Sequence, residues 1–129
     1  MALQTAIINV MEKAAKKAGI KLARDFGEVE NLQVSRKGPA DFVSHADIKA
    51  EKTLVEELQA ARPTFGFVLE EGKDIPPQDN VNSVWIIDPL DGTTNFLHGI
   101  PHFAISIALE QGGEIIAGVV YNPITDELF

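Results

Sequence analysis

Apolar residues recur at three- and four-residue steps through residues 2–26, at Leu3, Ile7, Val10, Ala14, Ala18 and Leu22. Glu12, Lys13, Lys16, Lys17, Lys21 and Arg24 fall mostly between them. That spacing predicts one amphipathic helix, fraying near Gly27. A short extended piece over residues 32–35 should lead into a loop at Arg36-Lys37-Gly38-Pro39, marked by its charge and its Gly-Pro step. A second helix is expected to start at Ser44 as N-cap, with Asp47 at N3 and Val43 stapled to Ile48. It should run to about Ala61 and stop before Pro63, because the residue preceding a proline is pushed out of the helical region.

The pattern then changes to strands. Residues 65–69 and 84–87 are short runs rich in aromatic and β-branched side chains, and residues 72–83 between them read as a polar surface loop holding Pro76-Pro77. Residues 103–110 and 114–121 flank Gln111-Gly112-Gly113, a strong hairpin signal. Asn122-Pro123-Ile124-Thr125-Asp126 forms a second turn, and Glu127-Leu128-Phe129 begins another strand in which the sequence stops. Two helices followed by a mainly antiparallel sheet predict an α+β fold rather than alternating β and α units, in one domain over residues 1–129.

Of the 129 residues, 45% are hydrophobic and 23% charged, the balance of a globular chain with a real core. The formal net charge of −8 argues against nucleic-acid binding by phosphate neutralisation. It suits a protein that gathers divalent cations, although surplus carboxylates commonly face water. Cysteine is absent, which excludes disulfides and thiolate zinc sites. No stretch approaches the roughly 20 apolar residues that span a bilayer, and the N-terminus lacks the basic start of a signal peptide. A cytoplasmic protein with no membrane partner is therefore expected.

The candidate chemistry centres on Trp85-Ile86-Ile87-Asp88-Pro89-Leu90-Asp91-Gly92-Thr93-Thr94-Asn95-Phe96. A hydrophobic strand ends at Asp88, Pro89 should force a turn, and Asp91 follows within it. Two carboxylates converging there repel unless a cation or proton relieves them, and an all-oxygen donor set points to Mg²⁺ or Mn²⁺. Asp91 could equally cap a short helix from Gly92, whose start would bind an anion; both aspartates could also be plain turn and cap residues. Glu70 and Glu71, at the end of an apolar strand, could aim one acid into the same cleft or turn to water. Asp47 and Glu51 lie four apart on the stripe continued by Leu54 and Leu58. Asp47 is a candidate for the site, and Glu51 is expected to be a rim residue paired with Lys52 or Lys49. His45, His98 and His102 read as structural or loop residues, since Pro101 disfavours a helical pair at 98 and 102.

With those residues in view, Asp88-Pro89-Leu90-Asp91-Gly92-Thr93-Thr94-Asn95-Phe96, followed by His98 and Pro101, resembles the first signature of the inositol monophosphatase family. Asp41-Phe42-Val43-Ser44-His45-Ala46-Asp47 resembles the family's Asp-x-Val-Thr/Ser-x-x-Asp segment. Residues 65–71 resemble its strand ending in Gly-Glu-Glu, with Leu69 in place of the glycine. The resemblance implies the N-terminal portion of a layered α/β sandwich sugar-phosphatase fold, cut within its large antiparallel sheet. It also implies a Mg²⁺-dependent phosphomonoester hydrolase, with Mn²⁺ as substitute, acting on inositol monophosphate or a related sugar phosphate.

The resemblance further implies roles. Glu70, Asp88 and the carbonyl of Leu90 would hold a first metal; Asp88 and Asp91 would share a second with an aspartate from further along the family's chain. Asp47 and Glu70 would serve a third and support Thr93 in orienting the attacking water. Gly92, Thr93 and Thr94 would take the phosphate, and residues 36–39 would correspond to a mobile loop. Lithium sensitivity, a homodimer or pairing through an exposed sheet edge, and little turnover by this chain alone are expected on the same basis. The alternative is a non-catalytic binding module of the same fold, contacting another protein such as transcription machinery.

Overall fold

Helix α1 (Ala2–Leu32) opens the computed structural model, which describes the backbone of residues 2–32 and 39–129 and the side chains of residues 5–29 and 42–129. Ala14, Ala18 and Leu22 of the predicted stripe are buried, joined by Met11 and Ala15; Ile7 and Val10 are half-buried against the core, and the Leu3 side chain lies outside the described residues. The expected fraying near Gly27 does not occur. Val29 is buried one half-turn later and Phe26 packs on two other rings, and that burial outweighs the roughly 1 kcal/mol a helical glycine costs. Leu32 closes the helix rather than starting an extended piece; residues 33–35, and the loop expected at 36–38, lie outside the described residues.

Helix α2 (Pro39–Ala61) starts earlier than expected. Proline is well suited to the first helical position, where its missing N–H has no partner to lose, so Pro39 opens the helix instead of ending a loop. Ser44 is therefore an exposed interior residue and not an N-cap, and Ile48, 53% exposed, staples nothing to buried Val43. The helix ends at Ala61 as Pro63 dictates, with the Arg62 N–H bonded back to the Leu58 carbonyl at 2.9 Å. Ala46, Ala50, Leu54 and Leu58 form its buried face.

Both helices lie on one face of a five-stranded sheet whose strands run in sequence order: β1 (Gly66–Val68), β2 (Ser83–Asp91), β3 (Ala104–Gln111), β4 (Glu114–Asn122) and β5 (Glu127–Leu128). Phe67, Trp85, Ile87, Ile105, Ile107, Leu109, Val119 and Tyr121 are among its buried side chains. The β2–β5 part is the expected antiparallel meander, but β1 pairs with β2 in parallel. The connection makes this possible by doubling back over β1, where Phe67 and Ile75 exchange backbone bonds of 2.7 and 2.9 Å. Gly66 admits that crossing, since a Cβ there would stand 2.6 Å from the Pro77 nitrogen.

Pro89 does not turn the chain. Strand β2 continues to Asp91 through a register irregularity between Asp88 and Asp91, the kind of site where a sheet tolerates proline. The β3–β4 hairpin turns at Gly112 and Gly113, both at positive φ (58° and 85°), as a two-residue primed turn requires. In the next turn the Asn122 side-chain oxygen accepts the N–H groups of Ile124 and Thr125. Tyr121 donates its hydroxyl to Asp126 at 2.8 Å; burial, reinforced by that carboxylate, pushes the phenol up to about 12. On the sheet's other face Val84, Ile86, Ala108 and Val120 are only partly covered, or exposed, among the described residues.

Two glycines of α1 give opposite expectations. A Cβ on Gly19 would stand 2.7 Å from the Tyr121 ring and 3.0 Å from Pro123, so Gly19→Ala should cost about 1–3 kcal/mol. Exposed Gly27 has nothing within 4 Å, so Gly27→Ala should stabilise by about 0.5–1 kcal/mol. Urea denaturation of the two variants against wild type checks both signs.

Candidate metal and phosphate site

The parallel pairing of β1 and β2 sets Val68 opposite Ile86, so the same register carried two residues further brings Glu70 abreast of Asp88. Their carboxyl groups share a hydrogen bond, which with burial and the Asp88 charge pushes Glu70 up to about 7. Asp88 also accepts the Leu90 N–H at 3.2 Å, folding back over the strand irregularity that follows it.

Helix α2 supplies Asp47, only 5% exposed. Burial above all, then a hydrogen bond with Glu71 and the charges of Glu71, Glu70 and Asp88, pushes it up to about 8. Its Oδ1 is buried with no hydrogen-bond partner. Asp47, Glu70 and Glu71 line an open depression of about 370 Å³ together with Val43, Ser44, Thr93, Thr94 and Leu97.

Thr93 and Thr94 begin the short helix α3 (Thr93–Leu97). Its N-cap is Gly92, in the left-handed region at φ 93°, with no side-chain cap, so Asp91 is not the capping residue. A Cβ on Gly92 would approach the His102 carbonyl to 2.9 Å, which reserves the position for glycine twice over. Phe96 anchors the helix in a ring cluster with Phe26 and Phe103, centroids 5.5 and 4.9 Å away, and the Asn95 amide donates to the His102 carbonyl at 2.7 Å.

Of the residues singled out from sequence, the structure gathers Asp47, Glu70, Thr93 and Thr94 around one depression, with Asp88 paired to Glu70. Asp91 and Gly92 line a neighbouring depression of similar volume with Asn95, His102, Asn122 and Phe129. His45, His98 and His102 are exposed.

Glu51 corrects the expectation of a rim ion pair. It is 5% exposed, and its two carboxylate oxygens accept the backbone N–H groups of Glu71 at 2.9 Å and Gly72 at 2.8 Å. Lys49 and Lys52 stand two and one positions away, which puts them off its helix face. The signal was present: positions 47, 48, 54 and 55, which do share that face, are Asp, Ile, Leu and Val. Glu71, one of two alternatives in the sequence, is likewise drawn in, through Asp47.

Among the described residues no three acidic or histidine side chains form a ready-made metal cluster; the acids meet as the pairs Asp47–Glu71 and Glu70–Asp88. The residues nevertheless fit a hard divalent cation. All donors are oxygen, one Asp47 oxygen is buried and unpaired, and like-charged carboxyls crowd together there, as a cation would relieve.

The sequence profile of the inositol monophosphatase family matches residues 3–129. This chain belongs to that family. An inositol-1-monophosphatase of Rhizobium meliloti (strain 1021) is 65% identical over 126 residues, 98% of this chain and 47% of that protein. A protein of Xylella fastidiosa (strain Temecula1 / ATCC 700964) named Nus factor SuhB is 43% identical over 127 residues, 98% of this chain and 45% of its own. The crystal structure of extragenic suppressor protein suhB from Bartonella henselae superposes with a TM-score of 0.83 at 56% identity, covering 96% of this chain and 47% of that one. The chain thus spans about half the length of the curated relatives it matches. Among the described residues no helix is long and apolar enough to cross a membrane.

The acid pairs make metal-free stability depend on pH. A carboxyl raised in the folded state holds its proton there after the unfolded chain has lost it, so stability falls with rising pH between the two values. For Asp47 that window runs from 3.8 to about 8, and for Glu70 from 4.5 to about 7. Melting temperature in chelator should fall from pH 4 to pH 8, and Asp47→Asn should flatten the slope; scanning calorimetry across that range reads both.

Proposed function

We propose that residues 1–129 are the N-terminal portion of a Mg²⁺-dependent phosphomonoesterase domain acting on inositol monophosphate or a related sugar phosphate, with Mn²⁺ able to substitute. The observation that carries this reading is the depression lined by Asp47, Glu70, Glu71 and Thr93, with Asp88 paired to Glu70 and an Asp47 oxygen buried and unpaired. Family membership and relatives named inositol-1-monophosphatase support it.

In this reading Glu70, Asp88 and the Leu90 carbonyl would hold a first metal, Asp88 and Asp91 would share a second with an aspartate from further along the chain, and Asp47 and Glu70 would serve a third. Bound divalent cations supply the positive charge that lets these carboxyls ionise together, increase the acidity of water and stabilise charge on the phosphoryl oxygens. Asp47 and Glu70 would support Thr93, whose hydroxyl donates its one hydrogen bond to a carboxylate and leaves its oxygen to accept one from the water that attacks phosphorus. Gly92, Thr93 and Thr94 take the phosphate, where the missing Cβ at Gly92 lets backbone approach closely. A cytoplasmic, lithium-sensitive homodimer belongs to the same reading.

Relatives named Nus factor SuhB favour a second role, a binding surface toward another protein such as transcription machinery. Partner capture that survives loss of both Asp88 and Asp91 would separate that role from catalysis.

In a chain of the relatives' full length, Asp88→Asn should lower phosphate release from inositol 1-phosphate by roughly 10²-fold or more. Release measured at saturating Mg²⁺ tests this, and an unchanged rate would sink the assignment.

A further inference from the structure

Helix α2 grips the end of strand β1 at two points one helical turn apart. Asp47 meets the side chain of Glu71, and Glu51 holds the backbone N–H groups of Glu71 and Gly72. Beyond the Phe67–Ile75 bonds that close its base, the segment so held has few other ties among the described residues. Strand β1 is three residues long, residues 70–72 are exposed, and the Leu69 N–H is taken by Asp74 of the loop itself at 2.9 Å.

A buried carboxylate is costly unless hydrogen bonds replace its water. Glu51 forms no ion pair among the described residues, and Val55 and Leu69 border the groove it lines. An apolar side chain would fill the position without that cost, and glutamine would set its NH₂ group against one of the two N–H donors. The carboxylate is matched to one task, which is to receive two adjacent backbone N–H groups.

We propose that Glu51 is a positioning residue of the site: its hold on residues 71 and 72 sets where Glu70 stands against Asp88 and where Glu71 stands against Asp47, and thereby the affinity for a divalent cation. The inference rests on the metal-dependent reading given above and extends it to a residue that touches neither cation nor substrate. A carboxylate that orients ligand-bearing backbone controls a site as much as the ligands do, and loss of such a support typically weakens metal binding by about 10–100-fold.

The test is Mn²⁺ binding to a chain of the relatives' full length, followed by electron paramagnetic resonance well below the melting temperature, for wild type, Glu51→Gln, Gly72→Ala and Asp88→Asn. Amide exchange at residues 71 and 72 is followed in parallel. Binding abolished by Asp88→Asn and weakened about 10–100-fold by Glu51→Gln, with loss of amide protection, is the expected result. Binding lost in Asp88→Asn but unchanged in a folded Glu51→Gln would reduce Glu51 to a structural tie and overturn the proposal alone. Wild type and Asp88→Asn that bind alike, or not at all, would overturn the metal reading and this inference with it.

Should Glu51→Gln not fold, Gly72→Ala decides. It alters no charge, lies on an exposed turn, and places a Cβ 3.2 Å from the Glu51 oxygen, close enough to loosen the hold. Several-fold weaker Mn²⁺ binding is expected, and wild-type affinity overturns the proposal.

Discussion

Two strands of one sheet running in the same direction present their C-terminal ends together, and on this the site depends. The parallel register of β1 and β2 carries Glu70 and Asp88 to the same level, although 17 residues of sequence separate them. Ligand sites commonly form outside the carboxyl ends of parallel strands, because side chains leaving neighbouring strands there converge beyond the ladder. Here what converges is negative charge. Left to itself the arrangement would repel, and the apolar packing below it, with Phe67 and Trp85 fully buried at facing positions, supplies the stability that keeps it in place.

The helices then complete what the strands begin. Asp47 and Glu51 occupy the same face of α2 as Leu54 and Leu58, so the surface that packs into the core also delivers two carboxylates to the strand end. One remains short of partners and the other is satisfied by backbone. At the far side the ring cluster of Phe26, Phe96 and Phe103 ties α1 to the short α3 and so orients Gly92, Thr93 and Thr94. That contact also explains why α1 continues through Gly27. Helix length is decided by what the last turns can bury, and Phe26 and Val29 both find partners.

Much of this was legible in one dimension. The heptad-like stripe of α1, the stop of α2 at Pro63, the Gly112-Gly113 hairpin and the turn at Asn122 each rest on a local rule that nothing distant opposed. The start of α2 was misread because two local signals competed, Ser44 as a cap and Pro39 as a first residue, and proline loses no hydrogen bond at the first helical position. Pro89 was misread because an irregular strand accommodates proline as readily as a turn does. Glu51 was misread because adjacent lysines were counted as partners, although residues one or two apart on a helix do not face one another.

The order of the strands, the tight turns that join β3 to β4 and β4 to β5, and the choice of Asp47, Glu70 and Asp88 as candidates were therefore determined by the sequence itself, through periodicity, turn chemistry and resemblance to the family's motif. Only the tertiary structure decided that β1 and β2 pair in parallel, that Glu71 joins Asp47, and that Glu51 binds backbone. The reason is physical: periodicity and turn residues report the few bonds made within a dozen residues, whereas strand direction and the partners of a buried carboxylate depend on packing between segments far apart in the chain.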